Sequence, residues 1–199
     1  MNKAIRIIRD EHRSISAVLS GLLELTRVAR NPGVKPGYAV FRAMIHYIDE
    51  FPERLHHPKE DRYLFARLVE RAPEARPLVD ELTREHVRGA QLVRDLESAL
   101  LAFEVNGARG LPAFDAAVSA YAQFHWDHMR KEEEKVLPLA EKHLTEEDWR
   151  WIEDAFAGNQ DPIADLRVRD FEQLYNRIVN LAPAPVGLGE TWQKTNGGV

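Results

Sequence analysis

The chain has 199 residues, of which 44% are hydrophobic, a balance suited to one globular domain with a sizeable core. Its formal net charge of −5, and the lack of interleaved basic and aromatic residues, exclude a general nucleic-acid binder. Cysteine is absent, which excludes disulfides, thiolate metal sites and cysteine nucleophiles, so any metal must be held by nitrogen and oxygen. No apolar run is long enough to cross a bilayer, and Met1 to Asp10 alternates charged with apolar residues where a signal peptide needs an unbroken apolar stretch. The expectation is a cytoplasmic protein with neither membrane nor nucleic acid as partner.

Apolar residues recur at helical spacing from the start, as in Ile5, Ile8, Ile15, Leu19, Leu22 and Leu23, and the alternation of a strand is missing. Asn31-Pro32-Gly33 ends the first predicted helix and Pro36-Gly37 precedes the second. Ala72-Pro73 divides the second from the third, and Asn106-Gly107 to Pro112 divides the third from the fourth. Four helices of about 30 residues, each roughly 45 Å long, follow from this punctuation. Pro52, Pro58 and Pro138 fall inside helical patterns and predict kinks or unwound turns there. Thr145-Glu146-Glu147-Asp148 predicts a cap opening a short fifth helix to about Ala157, stopped by Gly158-Asn159. A further amphipathic helix is predicted over Phe171 to Leu181, followed by a Pro- and Gly-rich tail. The fold class expected is all-α: an up-down four-helix bundle over residues 1–144, a helical extension over 145–181 packed on it, and a tail over 182–199.

An internal repeat runs through the bundle. Arg9-Asp10-Glu11-His12-Arg13 matches Thr83-Arg84-Glu85-His86-Val87, and His56-His57-Pro58-Lys59-Glu60-Asp61 matches His128-Met129-Arg130-Lys131-Glu132-Glu133. The chain is therefore two similar helical hairpins. In each, the second helix carries His-x-x-x-Glu, a spacing that puts both side chains on one face where they can meet a common ion. His56 pairs with Glu60 and His128 with Glu132, while His12 and His86 each add an imidazole from the first helix of their hairpin.

Folding the hairpins together brings six side chains into one interior layer, the way helical bundles build dinuclear carboxylate sites. Four imidazoles and two bridging carboxylates leave a pair of six-coordinate ions four bonds short. A bridging oxide or hydroxide fills two of these, leaving one open position per ion. The donor set suits iron, manganese or zinc alike.

These matched stretches, together with Val136-Leu137-Pro138, resemble the hemerythrin-like, or HHE cation-binding, domains from about Ile5 to His143. The resemblance implies a four-helix bundle with two non-haem irons, oxo- or hydroxo-bridged, that bind or react with oxygen, nitric oxide or peroxide. Family members place the second carboxylate four or five residues beyond the histidine, which sets Glu133 against Glu132; the repeat favours Glu132, aligned with Glu60. The family's oxygen carriers have two histidines one turn apart on the third helix, whereas here His86 is followed by Ala90. Carriage of oxygen is thus less expected than sensing, scavenging, or stress and repair chemistry, and whether there is turnover is left open. The alternative is an iron- or oxygen-responsive regulatory module whose C-terminal segment contacts a protein partner; self-association is also left open.

Bland readings cover the rest. His46 and His143 read as ordinary surface or core residues. On a regular helix His57 points about 100° away from His56, which suggests a structural or supporting role, and His125 is a candidate support opposite Glu53 in the repeat. Asp61 and Lys131 read as solvated charges, as Glu133 does if it is not the bridge, and a supporting role for Glu11 and Glu85 is a guess because neighbours on a helix diverge.

Overall fold

The computed structural model describes residues 2–157 and 168–192, and all of its principal elements are helices. Asn2 opens α1 (Lys3–Ala29) by accepting a hydrogen bond from the Ala4 amide on its side-chain oxygen. The second rod, α2, spans residues 38–71, α3 is Arg76–Asn106, and α4 spans residues 111–143. Two short helices follow, α5 (Glu146–Ala157) and α6 (Val168–Leu181). The proposed stop at Gly158-Asn159 lies outside the described residues. The sixth helix starts three residues earlier than its apolar pattern suggests.

Each of the first four rods packs on its two neighbours, α1 on α2 and α4, α3 on α2 and α4, and short turns reverse the chain between them. Such connections produce an up-down four-helix bundle. Gly107, with φ of +56°, turns the chain out of α3, a conformation that side-chain-bearing residues rarely adopt. α5 lies across α1 and the second half of α2, and α6 lies along the first half of α2. Residues 182–192 dock on the helices: the Leu188 amide donates to the Val179 carbonyl, and Trp192 packs against Phe41 with ring centroids 5.7 Å apart.

Two rods are not regular. Pro52 offers no N–H to Ile48, Pro58 none to Arg54 and Pro138 none to Glu134, and the helix answers by widening. α2 becomes a π-helix over Asp49–His56 and again over Glu60–Phe65, and α4 does so over Glu132–Val136. The His57 amide reaches back five residues to the Pro52 carbonyl, and Leu137 likewise to Glu132. The wide turns begin at Glu60 and Glu132, aligned positions of the repeat, so the duplication extends to backbone shape.

The core divides into two apolar clusters. One contains Leu19, Leu22, Phe41, Leu96, Phe114 and Tyr121; the other contains Ile5, Ile8, Phe65, Leu82, Val136 and Ile152. Between them lies a layer in which His12, His56, Glu60, His86, His128 and Glu132 are all buried. Burial of ionisable groups between two hydrocarbon layers is costly unless something compensates their charge.

The fifth helix is tied to the bundle by its cap. Thr145 Oγ1 accepts from the Asp148 amide, Asp148 Oδ2 accepts from the Thr145 amide, and the Arg71 guanidinium donates to both Asp148 oxygens at 2.8 and 3.1 Å. Arg71 beside it, with the Thr145 bonds, lowers the Asp148 carboxyl to about 2. A depressed carboxylate stabilises the fold above its ordinary pKa and loses that contribution as pH falls through the folded value. Asp148→Ala should therefore lower stability at pH 7 by about 2 kcal/mol in chemical denaturation, and the gap from wild type should close as pH is taken from 4 to 2.

Candidate metal centre

His12 comes from α1, His56 and Glu60 from α2, His86 from α3, and His128 and Glu132 from α4, so every rod of the bundle contributes to one layer. His12 Nε2 lies 3.1 Å from His56 Nε2, and His86 Nε2 lies 3.0 Å from His128 Nε2. The two carboxylates sit between these pairs. Glu60 places Oε1 3.4 Å from His56 Nε2 and Oε2 3.6 Å from His86 Nε2. Glu132 places Oε1 3.1 Å from His128 Nε2 and Oε2 3.4 Å from His12 Nε2. Each carboxylate thus addresses both imidazole pairs, one oxygen to each.

The outer nitrogens are equally ordered. His12 Nδ1 meets Glu133 at 2.9 Å, His56 Nδ1 meets Glu11 at 2.7 Å, His86 Nδ1 meets Asp61 at 3.0 Å and His128 Nδ1 meets Glu85 at 2.9 Å. A carboxylate accepting from Nδ1–H fixes the tautomer and turns the Nε2 lone pair inward. Glu133 therefore lies on the outer side of His12, away from the position Glu132 occupies. Asp61 and Glu133, expected as solvated charges, each partner an imidazole, as do Glu11 and Glu85, and Lys131, also expected as a solvated charge, pairs with both Glu85 and Glu81.

Two lone pairs facing each other at about 3 Å repel unless a proton or a metal ion lies between them. All four oxygens of Glu60 and Glu132 are buried without a hydrogen-bond partner, so the carboxylate pair needs positive charge, as imidazolium protons or as metal ions, among the inward Nε2 atoms. Two nitrogens bound at about 2.1 Å to adjacent positions of one ion stand about 3.0 Å apart, the separation found in both histidine pairs. The arrangement could hold cations, His12 and His56 offering donors on one side and His86 and His128 on the other, with Glu60 and Glu132 facing both pairs. Donors from His12, His56 and Glu60, and from His86, His128 and Glu60, each gather within 4.8 Å of one another.

The family model for the hemerythrin HHE cation binding domain matches residues 3–140. The chain belongs to that family. Neither a curated protein nor a solved structure matches it. A metal-binding function of the HHE kind therefore rests on the family together with the histidine and carboxylate clusters of this layer.

A groove of about 580 Å³ opens between α1 and α4 and reaches the centre at His12 and Glu133. Ser16, Ser20, Trp126 and Met129 line it, and Arg13 and Arg130 stand at its rim. A second buried polar group adjoins the centre on the other side. Glu53 accepts from the Tyr121 hydroxyl at 2.9 Å and lies 3.2 Å from His125 Nε2 and 3.3 Å from His57 Nδ1. Burial works against the Glu53 anion, but His125 and His57 hold its carboxyl well below the usual range. His57, predicted from regular helix geometry to point away, instead stacks on His86, with ring centroids 4.2 Å apart and planes 10° from parallel. The wide turn over Asp49–His56 changes the angle at which His57 leaves the helix.

Of these supports, Asp61 and Glu133 align in the repeat, as do Glu11 and Glu85, so the repeat carried the signal for all four. What it did not show was the partner. Glu11 serves His56 across the hairpin rather than its neighbour His12.

Without metal the centre holds protons. Burial pushes His12 and His128 down, but the carboxylates of Glu133, Glu60 and Glu132 for the first, and of Glu132, Glu85 and Glu60 for the second, outweigh it and raise both to about 10. His86 rises to about 9 against the same burial, through Asp61, Glu132 and Glu60. A raised histidine contributes stability below its ordinary value near 6.5, and the contribution is lost as pH rises through 9 to 10. Metal-free protein should therefore melt at lower temperature at pH 10 than at pH 6. Metal needs neutral imidazoles, so adding iron(II) at pH 7 should release protons, and iron affinity should weaken as pH falls, both readable by titration calorimetry in buffers of different ionisation enthalpy.

Proposed function

We propose that the protein is a non-haem di-iron protein that binds or reacts with a small ligand, oxygen, nitric oxide or peroxide, in sensing, scavenging or stress and repair. The observation that carries this reading is the pair of buried carboxylates, Glu60 and Glu132, each without a donor and each turned to both histidine pairs. Imidazole and carboxylate donors suit iron, as they do manganese and zinc, and membership of a hemerythrin-type cation-binding family favours iron among them. Bound iron supplies electrons and an exchangeable position for the ligand.

The chain's own residues supply the rest. His12, His56, His86 and His128 are the terminal ligands and Glu60 and Glu132 the bridges. Glu133, Glu11, Asp61 and Glu85 hold the rings in one tautomer and strengthen them as donors. The apolar clusters above and below exclude water, and the α1–α4 groove is the way in for a small molecule. Its wall is built of the small residues Ser16, Ala17 and Ser20 on α1, which leave room between the helices.

Protein purified from iron-supplemented cells should contain two irons per chain and show charge-transfer absorption in the near ultraviolet. Glu60→Ala should lose most of that iron and absorption while keeping its helical circular dichroism; full retention of both irons would sink the assignment of Glu60 as a bridge. Ala17→Trp should fill the groove without touching the ligands. Stopped-flow binding of nitric oxide or azide to this variant should slow by about tenfold at unchanged iron content, whereas an unchanged rate would place the entrance elsewhere.

A further inference from the structure

Four rings lead away from the centre in one stack. His57 lies on His86 with centroids 4.2 Å apart and planes 10° from parallel, His125 lies on His57 at 5.7 Å and 23°, and Tyr121 lies on His125 at 4.1 Å and 27°. All four are buried, so the run ends on a phenol sealed from water. The duplication does not produce it. In the repeat His57 aligns with Met129, His125 with Glu53 and Tyr121 with Asp49, positions that carry no ring.

The phenol is set up to lose its proton in one direction. Its hydroxyl donates to Glu53 Oε1 at 2.9 Å, and His125 Nε2 stands 3.2 Å from both oxygens. Burial pushes the Tyr121 phenol well above its ordinary value, and the Glu53 anion adds to this, so a phenolate is closed to it. An electron can leave the ring only together with the proton. Glu53, kept as an anion by His125 and His57, is within reach of that proton. Gly89 makes room for this base, since a Cβ there would stand 2.8 Å from Glu53 Oε1. Glycine inside a helix weakens it, and α3 carries one where the carboxylate comes close.

We propose that Tyr121 is an electron donor to the metal centre, sending one electron along the stacked rings to His86 and its proton to Glu53. The inference rests on the di-iron reading above. Hydrogen peroxide takes up two electrons and two protons as its O–O bond breaks to give two waters. A centre holding one iron(II) supplies the first electron and becomes iron(III). Tyr121 supplies the second: its O–H bond breaks, the proton stays on Glu53 Oε1, a neutral phenoxyl radical remains, and the two protons for water come from solvent. A phenol kept only for packing would explain the bond to Glu53, but not a run of stacked rings that ends on a histidine of the centre.

The test is electron paramagnetic resonance on the iron-loaded full chain, reduced to one iron(II) and one iron(III), mixed with one equivalent of hydrogen peroxide and frozen within milliseconds. Wild type should give a phenoxyl signal that narrows when the protein is made with ring-deuterated tyrosine and that couples to an exchangeable proton, the one held on Glu53. Tyr121→Phe keeps the ring and should lose the signal at unchanged iron content and Mössbauer spectrum. Glu53→Gln should lower the radical yield at least about tenfold. Tyr47 also reaches the centre, through Phe51 to His56, so Tyr47→Phe is the control and should keep the signal. Where Tyr121→Phe unfolds the chain, phenylalanine at Tyr38, Tyr47, Tyr63 and Tyr175 leaves Tyr121 as the one tyrosine, and the signal must persist there. No phenoxyl signal in wild type carrying two irons, a signal that survives Tyr121→Phe, or its loss when Tyr121 stands alone would overturn the inference and leave the di-iron reading standing. Fewer than two irons per chain would overturn both.

Discussion

The structure is organised around two carboxylates that cannot be left as they are. Glu60 and Glu132 lie in the middle of a helical bundle, between two hydrocarbon clusters, with four oxygens that accept no hydrogen bond. An isolated buried carboxylate is costly, and two within one layer repel, so the fold is reasonable only if positive charge is placed between them. The four inward Nε2 atoms mark where. Their outer nitrogens are spent on Glu133, Glu11, Asp61 and Glu85, which keeps their inner lone pairs available and ties each ring to a second helix.

Those outer bonds also hold the hairpins together. Glu11 and Glu85 bond histidines within their own hairpin, whereas Asp61 reaches His86 and Glu133 reaches His12 across the interface. The histidine layer is therefore stitched in both directions by charge-assisted hydrogen bonds, and loss of one support loosens an imidazole and a helix contact at once. The widened turns at Glu60 and Glu132 belong to the same device. Proline removes the amide that would close a regular turn, and the resulting wide turn sets the angle at which the carboxylate enters the layer.

Much of this was legible in the sequence because the repeat constrains it twice. Four rods, their breaks at Asn31 to Gly37, Ala72-Pro73 and Asn106 to Pro112, and the placing of six side chains in one layer all follow from matched spacing and punctuation. The supports were less legible for a geometric reason. Helical spacing tells which residues share a face of one helix, but Glu11 serves a histidine on another helix, and that pairing depends on how the rods are rotated against each other. The supporting role of His57 was legible but its direction was not, since the argument that neighbours diverge by about 100° assumes a regular helix, and Pro52 and Pro58 make this stretch irregular. The groove beside His12 was invisible because it depends on what is small, Ser16, Ala17 and Ser20, rather than on any residue that bears chemistry.

The departures from the repeat matter more for chemistry than the repeat itself. A perfectly duplicated site would present two equal ions with equal access, and a small ligand would have no preferred side. Here the difference is built from residues outside the six matched side chains: Met129 and the small residues of α1 leave one side open to a groove, while His57, Glu53, Tyr121 and His125 fill the other with a tightly bonded polar group. Filling that side polar rather than apolar costs the fold the desolvation of four more groups, which hydrogen bonds among them only offset. A core of leucine and phenylalanine would do the packing alone more cheaply. The buried acid, phenol and two imidazoles next to the centre are therefore best understood as directed at it, most closely through the His57 ring stacked on His86.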